Sequence, residues 1–463
     1  VIVVVGGGMT YDASESEKQA VARRPACGGE PPAVPPELRP TTVDTVGQAM
    51  RCLFDRYSGG PALDVRELLV AAFAGFTVEL DRRGADRTEA TLPPLTGERE
   101  RDWAAFRDAY LRVTAVLPGG PALHQALAEA AIRGMVSSVR DNHVSWVRQP
   151  PPPVGWPPEQ VYGLGLVTSP HPMAVEVAPY LAAPPLHVTE AWGPAAAQGI
   201  QPGDVIVSVN GSEPFADGVA SVGVIRLLAP QYPGRDPVQL VLRRPSTGRV
   251  WTVTMEPGPF RLPYSQSASS RRIGDLAYVR LKEFGRGAAD TARGSVLVLH
   301  RETPVRGVII DVRGNGGGMP EEVALMVGMF VHGKAWSHSC DHAWACTPNL
   351  TDDGMPLLGL PLVVLTDRGC ASACDAFSGA VRDLDLGDLV GTRTSGLVSG
   401  PASGFVLDDG SMLLLPRQRE LSAAGEIING IGVAPDHHVP TTAEDLSAGR
   451  DPALDKAVSL LGG

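Results

Sequence analysis

Pro361-Leu362-Val363-Val364-Leu365-Thr366, continued after Asp367 by Arg368-Gly369-Cys370-Ala371-Ser372-Ala373-Cys374-Asp375-Ala376-Phe377, is the stretch that decides the fold. Its first six residues form an unbroken apolar run of strand length, as a strand buried on both faces requires. Residues 376–381 are Ala-rich and read as a helix. Ser372 therefore falls at a tight strand-to-helix junction. There a hydroxyl can stand at a helix N-terminus, where backbone N–H groups and the dipole favour a developing negative charge. A serine nucleophile needs that setting. Taken alone, the segment reads first as an N-cap with close packing.

A second segment has the same form. Val308-Ile309-Ile310-Asp311-Val312-Arg313 is an apolar strand ending in charge, followed by Gly314-Asn315-Gly316-Gly317-Gly318 and a helical pattern over residues 321–330. A glycine run after a strand can present bare backbone N–H groups to a ligand. Phosphate binding is a poor alternative, because the Lys-Ser/Thr of a P-loop is missing.

In this order the motifs resemble those of the carboxyl-terminal processing (tail-specific) and tricorn-type serine peptidases, over residues 103–439. The resemblance takes in Asp141-Asn142-His143, then Gly199-Ile200-Gln201-Pro202-Gly203-Asp204-Val205-Ile206 and Val209-Asn210-Gly211 of a PDZ-like segment. It continues through Leu276-Ala277-Tyr278-Val279-Arg280-Leu281, the glycine loop and the Ala-Ser-Ala segment, to Gly430-Ile431-Gly432-Val433-Ala434-Pro435-Asp436. It implies a multidomain α/β protein: a helical N-terminal domain, a PDZ-like β domain, and a crotonase/ClpP-like α/β protease core.

The 463 residues, 43% apolar, suffice for two to four domains. A net charge of −11 argues against a nucleic-acid partner. Six cysteines form three near pairs, Cys27/Cys52, Cys340/Cys346 and Cys370/Cys374, which suggests disulfides, an oxidising compartment, and a secreted or cell-envelope protein. The Cys370/Cys374 pair would brace the loop around Ser372. Val1-Ile2-Val3-Val4-Val5 reads as the stub of a trimmed signal or membrane anchor, or as a strand.

Residues 1–41 are expected to be an exported tether, 42–148 a helical domain, 159–258 the PDZ-like domain, 270–440 the peptidase core, and 441–463 a C-terminal helix or tail. Val46, Met50, Leu53 and Phe54, then Leu68, Leu69, Ala72, Phe73 and Phe76, lie at helical spacing and mark core stripes. The Pro-rich run 149–158 reads as a stiff linker. Tyr162-Gly163-Leu164-Gly165 resembles the carboxylate-binding loop of a PDZ module, which would hold a peptide C-terminus with backbone N–H groups.

Processing peptidases of this family activate the serine with a lysine about 25 residues later. That position is Leu397, and no lysine occurs between Lys334 and Lys456. The tricorn-type branch uses an earlier histidine, and His143 matches it; an imidazole pKa near 6.5 suits a general base. The glutamate that the branch places three residues before the glycine of Gly432-Val433 is Asn429 here, with Glu426 the nearest acid. The expected site is thus Ser372 with His143, oriented by Asn429 or Glu426. The oxyanion hole would be the N–H of Ala373 with that of Gly317 or Gly316. Asp375 stands where the family usually has Glu and, like Asp383, reads as structural. His437 and His438 read as surface residues. His338, Cys340, His342 and Cys346 could bind zinc, but the spacing fits no standard site, so no metal or other cofactor is assigned.

These readings imply a serine endopeptidase acting on unstructured polypeptides, with an oligomer compatible with them. Two rivals stand beside it: a catalytically silent ligand-binding member of the same fold, and a PDZ scaffold.

Overall fold

In the computed structural model of the protein, residues 27, 37–141, 143–148, 157, 160–171, 175, 182–261, 268–400 and 402–462 are described. The Pro-rich run and nearly all of the N-terminal segment lie outside them. The protein divides into two units, Val1–Pro158 with Pro401–Arg417, and Glu159–Gly400 with Gln418–Gly463.

The apolar stripes of the first unit form four helices, α1 (Val43–Arg56), α2 (Val65–Arg82), α3 (Arg99–Thr114) and α4 (Pro121–Ser138). Side-chain acceptors start three of them: Thr42 accepts from the Asp44 N–H, Asp64 from Arg66 and Glu98 from Arg101. Pro121 opens α4, where a missing N–H costs nothing. Met50, Leu53, Leu69, Phe76, Phe106, Leu127 and Met135 are fully buried between them. The crossing of α2 and α4 requires glycine. A Cβ on Gly75 would fall 2.4 Å from the Ala130 carbonyl oxygen, and one on Gly134 2.3 Å from that of Ala71. Gly134→Val should therefore destabilise this unit by about 2–3 kcal/mol through overpacking, read as a lower midpoint in urea.

This unit also holds an antiparallel sheet that the domain boundaries expected from the sequence do not include. Ser145–Val147 pairs with Met412–Pro416, which pairs with Ala402–Val406. That hairpin falls inside the span 270–440 expected of the core, yet it packs with the helices. Trp146 Nε1 donates to Ser411 Oγ at 2.8 Å, and Thr41 Oγ1 to Asp409 at 2.6 Å. Cys27 and Cys52 form a disulfide here.

The second unit begins with a small β module. Leu166–Ser169, His187–Ala191, Val205–Val209, Val238–Arg243 and Val250–Met255 form a five-stranded antiparallel sheet in that order. Gln160–Gly163 pairs separately with Gly258–Arg261.

The larger part is a six-stranded sheet whose spatial order follows the sequence: β1 (Ala268–Ile273), β2 (Leu276–Leu281), β3 (Gly307–Asp311), β4 (Leu362–Thr366), β5 (Gly387–Gly391) and β6 (His437–His438). Only β1 and β2 are antiparallel; the other neighbours are parallel. Helices α5 (Ala288–Glu302), α6 (Pro320–Gly328) and α7 (Ala373–Asp383) connect successive parallel strands, and α8 (Pro452–Leu460) ends the unit. Every residue of β3 and β4 is buried, as the apolar runs anticipated. Val308, Ile310 and Val364 face one core with Phe284 and Phe377; Ile309, Val363 and Leu365 face another with Ala453 and Ala457 of α8. The two cores are the two faces of one pleated sheet.

Candidate active site

Ser372 stands between β4 and α7 as predicted, and its backbone is strained. Its φ is +56° and ψ −119°, a region that non-glycine residues avoid at a cost of about 1–3 kcal/mol. The surrounding bonds hold it there. Its N–H donates to the Leu397 carbonyl at 2.9 Å and to Asp375 Oδ2 at 3.1 Å. On one side, the Ala371 N–H donates to the Asn315 carbonyl at 2.9 Å. Cys370 and Cys374, both fully buried, form a disulfide that straddles the serine.

The glycine loop lies directly against this turn. A Cβ on Gly317, whose φ is +109°, would fall 2.6 Å from Ser372 Cβ. Only glycine permits that approach. Asn315, fully buried, shapes the loop from within: its Nδ2 donates to the Leu281 carbonyl at 3.1 Å and its Oδ1 accepts the Gly317 N–H at 2.9 Å. The expected oxyanion donor at Gly317 is therefore committed to Asn315. Ala373, the first residue of α7, has an N–H with no intrahelical acceptor.

Two carboxylates, Asp367 half-buried and Asp375 fully buried, fix the junction. Asp367 Oδ1 accepts from the N–H groups of Gly314 and Gly369, both at 2.8 Å, joining the glycine loop to the serine turn. Burial pushes its carboxyl up, against the Gly314 bond. Asp375 gathers the other side: its Oδ1 accepts from Gly396 N–H at 2.9 Å and from the Thr394 hydroxyl, its Oδ2 from Leu397 N–H at 3.0 Å. Burial raises its pKa to about 6 despite those bonds. Asp375 thus touches the backbone of the strained serine itself.

Further back, Asp311 is the hub of the strand's charged end. It accepts from Tyr278 Oη at 2.7 Å, Arg280 Nη1 at 3.0 Å and Arg313 Nη2 at 2.7 Å. Burial would raise its carboxyl, but Arg313 and Arg280 hold it well below the usual carboxylate range. Arg280 Nη2 also donates to the Arg313 carbonyl at 3.0 Å, immediately before the glycine loop. These charges support the loop.

The other predicted members are distributed as follows. Leu397, at the position where processing peptidases have lysine, is buried and accepts the Ser372 N–H at its carbonyl. Lys282 is ion-paired with Glu190 of the small β module. Asn429 Oδ1 accepts the Val398 N–H at 3.1 Å, which sets it beside the 396–398 loop. Glu426 is directed elsewhere: its carboxylate meets Arg382 Nη2 at 2.7 Å, with its side chain 64% exposed. Arg382 is ten residues along α7 from Ser372, about 15 Å by helical rise.

His143 belongs to the first unit, in the turn between α4 and Ser145–Val147. Its N–H donates to Asp141 Oδ1 at 3.0 Å, and its Nδ1 lies 4.0 Å from the same oxygen. Asp141, buried, accepts from Tyr57 Oη at 2.9 Å. Burial lowers the His143 pKa, with Asp141 opposing. Motif matching assigns Asp141 no role, although an acid two residues from a candidate base is visible in the sequence.

At the candidate peptide loop, Gly163 and Gly165 have φ of +151° and +76°, Leu164 is buried, and Tyr162 Oη donates to the Gly234 carbonyl at 2.8 Å. Cys340 and Cys346 are joined as a disulfide, which removes the thiolates a zinc site would need.

Residues 275–439 match peptidase family S41. The protein is 32% identical over 262 residues to a chloroplastic C-terminal processing peptidase of Tetradesmus obliquus, covering 53% of this protein and 54% of that one. It is 29% identical over 285 residues to tricorn protease homolog 1 of Streptomyces coelicolor, 58% of this protein and 25% of that one. The matched part spans about half the length of the first of these and of a probable CtpA-like serine protease of Staphylococcus saprophyticus. Among solved structures, it shares its fold with a photosystem II D1 C-terminal processing protease, at TM-score 0.55 and 23% identity over 91% of this protein and 97% of that one. Mature CPAF matches the same shares of both proteins at TM-score 0.56 and 13% identity. Over residues 275–439, then, the protein is similar to peptidase family S41.

Proposed function

We propose that this protein is a serine endopeptidase acting on unstructured polypeptides, with Ser372 as nucleophile and His143 as its base. The carrying observation is Ser372 itself, held at φ +56° at the start of α7 with Gly317 packed on its Cβ. A strained junction of this kind persists only where its surroundings enforce it. The core takes the role of a crotonase-like protease domain and the small β module that of a PDZ domain, whose Tyr162–Gly165 loop receives a peptide C-terminus.

In this reading Ser372 Oγ attacks the scissile carbonyl while His143 takes its proton. The N–H groups of Ala373 and Gly316 stabilise the oxyanion, and His143 returns the proton to the leaving amine. Water then hydrolyses the acyl-enzyme by the same route. Asp141, an acid 4.0 Å from His143 Nδ1, joins Asn429 and Glu426 as a candidate for orienting the imidazole, and it is the one this reading takes. Burial keeps His143 neutral near pH 7, the form a base needs. Acyl transfer of this type calls on no cofactor. Three disulfides support an oxidising, extracytoplasmic setting. No helix among the described residues is long and apolar enough to cross a membrane.

The silent-member reading draws on Leu397 and Asn429, which stand where relatives by resemblance have lysine and glutamate. A fluorophosphonate probe separates the two. Labelling of the wild type that disappears in Ser372→Ala supports the peptidase; an unlabelled wild type establishes the silent member.

A further inference from the structure

Two arginines beside the serine turn lack an acidic partner among the described residues. Arg368 follows β4 and Arg393 follows β5, so both stand at the carboxyl ends of adjacent parallel strands. That edge of an open α/β sheet is where ligands gather. Both are half-buried. Arg368 Nη1 donates to the Thr394 carbonyl at 3.1 Å, and Arg393 Nη1 to the Gly432 carbonyl at 2.9 Å. Those two carbonyls belong to backbones in contact: a Cβ on Gly432 would fall 2.3 Å from Thr394 O. The guanidiniums therefore converge on one junction, and Arg368 lies four residues upstream of Ser372.

Elsewhere in the unit Arg244, Arg280, Arg313 and Arg382 are each paired with a carboxylate, whereas Arg272 and Arg293 bond to backbone carbonyls. The sequence has 51 acidic residues against 40 basic ones, so acids are not scarce. Asp375, the acid whose field reaches Arg368, has its oxygens occupied by Ser372, Thr394, Gly396 and Leu397. Burial, and then the charge of Arg393, hold the Arg368 guanidinium below its ordinary value. Each bond to a carbonyl uses one of the five donors of a guanidinium. Stapling the loop alone would not require two like charges side by side; a neutral donor would serve.

We propose that Arg368 and Arg393 form a carboxylate-binding subsite that holds a negatively charged group of the polypeptide substrate next to Ser372. Paired guanidiniums suit this ligand, since each offers a planar fork to a carboxylate. The inference rests on the peptidase reading and adds to it a substrate class, polypeptides with a carboxylate near the cleaved bond. The carboxylate has two sources, the carboxyl terminus of the polypeptide or an Asp or Glu side group within it.

The test is binding to the full-length Ser372→Ala protein, measured by calorimetry so that turnover is not needed. An alanine-rich decapeptide is compared in four forms: a central Asp or Asn, each with a free or amidated C-terminus. We expect the free acid or the Asp form to bind about tenfold more tightly than its amide counterpart. The arm that shows the difference identifies the source. The preference should vanish in Arg368→Gln/Arg393→Gln and survive in part in Arg368→Lys/Arg393→Lys, which keeps the charge and controls for folding. Equal binding of all four forms, or binding of none, overturns the subsite. A preference that persists in the Gln double variant also overturns it, and assigns the carboxylate to another site such as the Tyr162–Gly165 loop. An unlabelled wild type in the fluorophosphonate experiment sinks the peptidase reading separately, leaving this comparison to be judged on its own.

Discussion

His143→Gln should lower kcat/KM on any cleaved peptide by roughly 10⁴- to 10⁶-fold, the range seen when a triad base is removed. The loss should fall on kcat, because in the proposed mechanism the imidazole acts on the proton in flight and not on substrate affinity. Asp141→Asn should cost less, about 10²-fold. Its oxygen stands 4.0 Å from His143 Nδ1, an ion-pair distance beyond hydrogen bonding, so it mainly stabilises the imidazolium as it forms. Glu426→Ala should change activity less than about twofold, since that carboxylate forms an exposed pair with Arg382. A larger loss at Glu426 than at Asp141 would reverse the assignment of the orienting acid. The pH profile gives a further check. Burial lowers the His143 pKa, so the base stays deprotonated below the usual 6.5 and activity should persist to more acidic pH than an exposed imidazole allows.

What the sequence made legible was local. Buried parallel strands announce themselves as apolar runs, so β3 and β4, and the turns that follow them, could be placed by eye. Ser372 and Gly317 followed from those turns. The three near cysteine pairs also join as their proximity suggested. What escaped was set by side-chain direction or by pairing across long distances. The Ala402–Pro416 hairpin looked like part of the core because its neighbours in sequence are core; its partner strand, Ser145–Val147, lies more than 260 residues earlier. Glu426 lies near Asn429 in the sequence, but its side chain pairs with Arg382 at the far end of α7. Gly317 supplies the close approach expected of it, while its N–H turns to Asn315. No spacing rule reveals which way an amide points. Asp375 read as a helix-start acid, and only packing shows that it collects the 394–397 loop and the serine turn together.

Asp375→Asn should lower the rate of Ser372 acylation by about 10²-fold in protein that remains folded. The Asn amide replaces one carboxylate oxygen by an NH2 group, which faces either the Gly396 N–H or the N–H groups of Ser372 and Leu397, all of them donors at 2.9–3.1 Å. At least one of those donors is left unpaired in a dry site, at a cost of about 1–3 kcal/mol, and the strained serine loses an anchor. The stability of the two proteins should respond to pH in a way that separates positioning from simple support. The Asp375 pKa is raised to about 6 in the folded protein, against about 3.9 when unfolded. A group raised in this sense contributes its stability in full below the unfolded value and loses it as pH rises through the folded one. On the order of 3 kcal/mol is therefore lost by the wild type between about pH 4 and pH 7, while the Asn variant does not titrate there. In urea unfolding, the stability of wild type minus variant should fall across that window, as acylation by the wild type rises. A difference that stays flat with pH would show that Asp375 is not held as the costly buried anion described here. The carboxylate is then most useful to Ser372 in the ionised form that the fold supports least, which is the trade expected where a scaffold gives up stability to hold a reacting group in place.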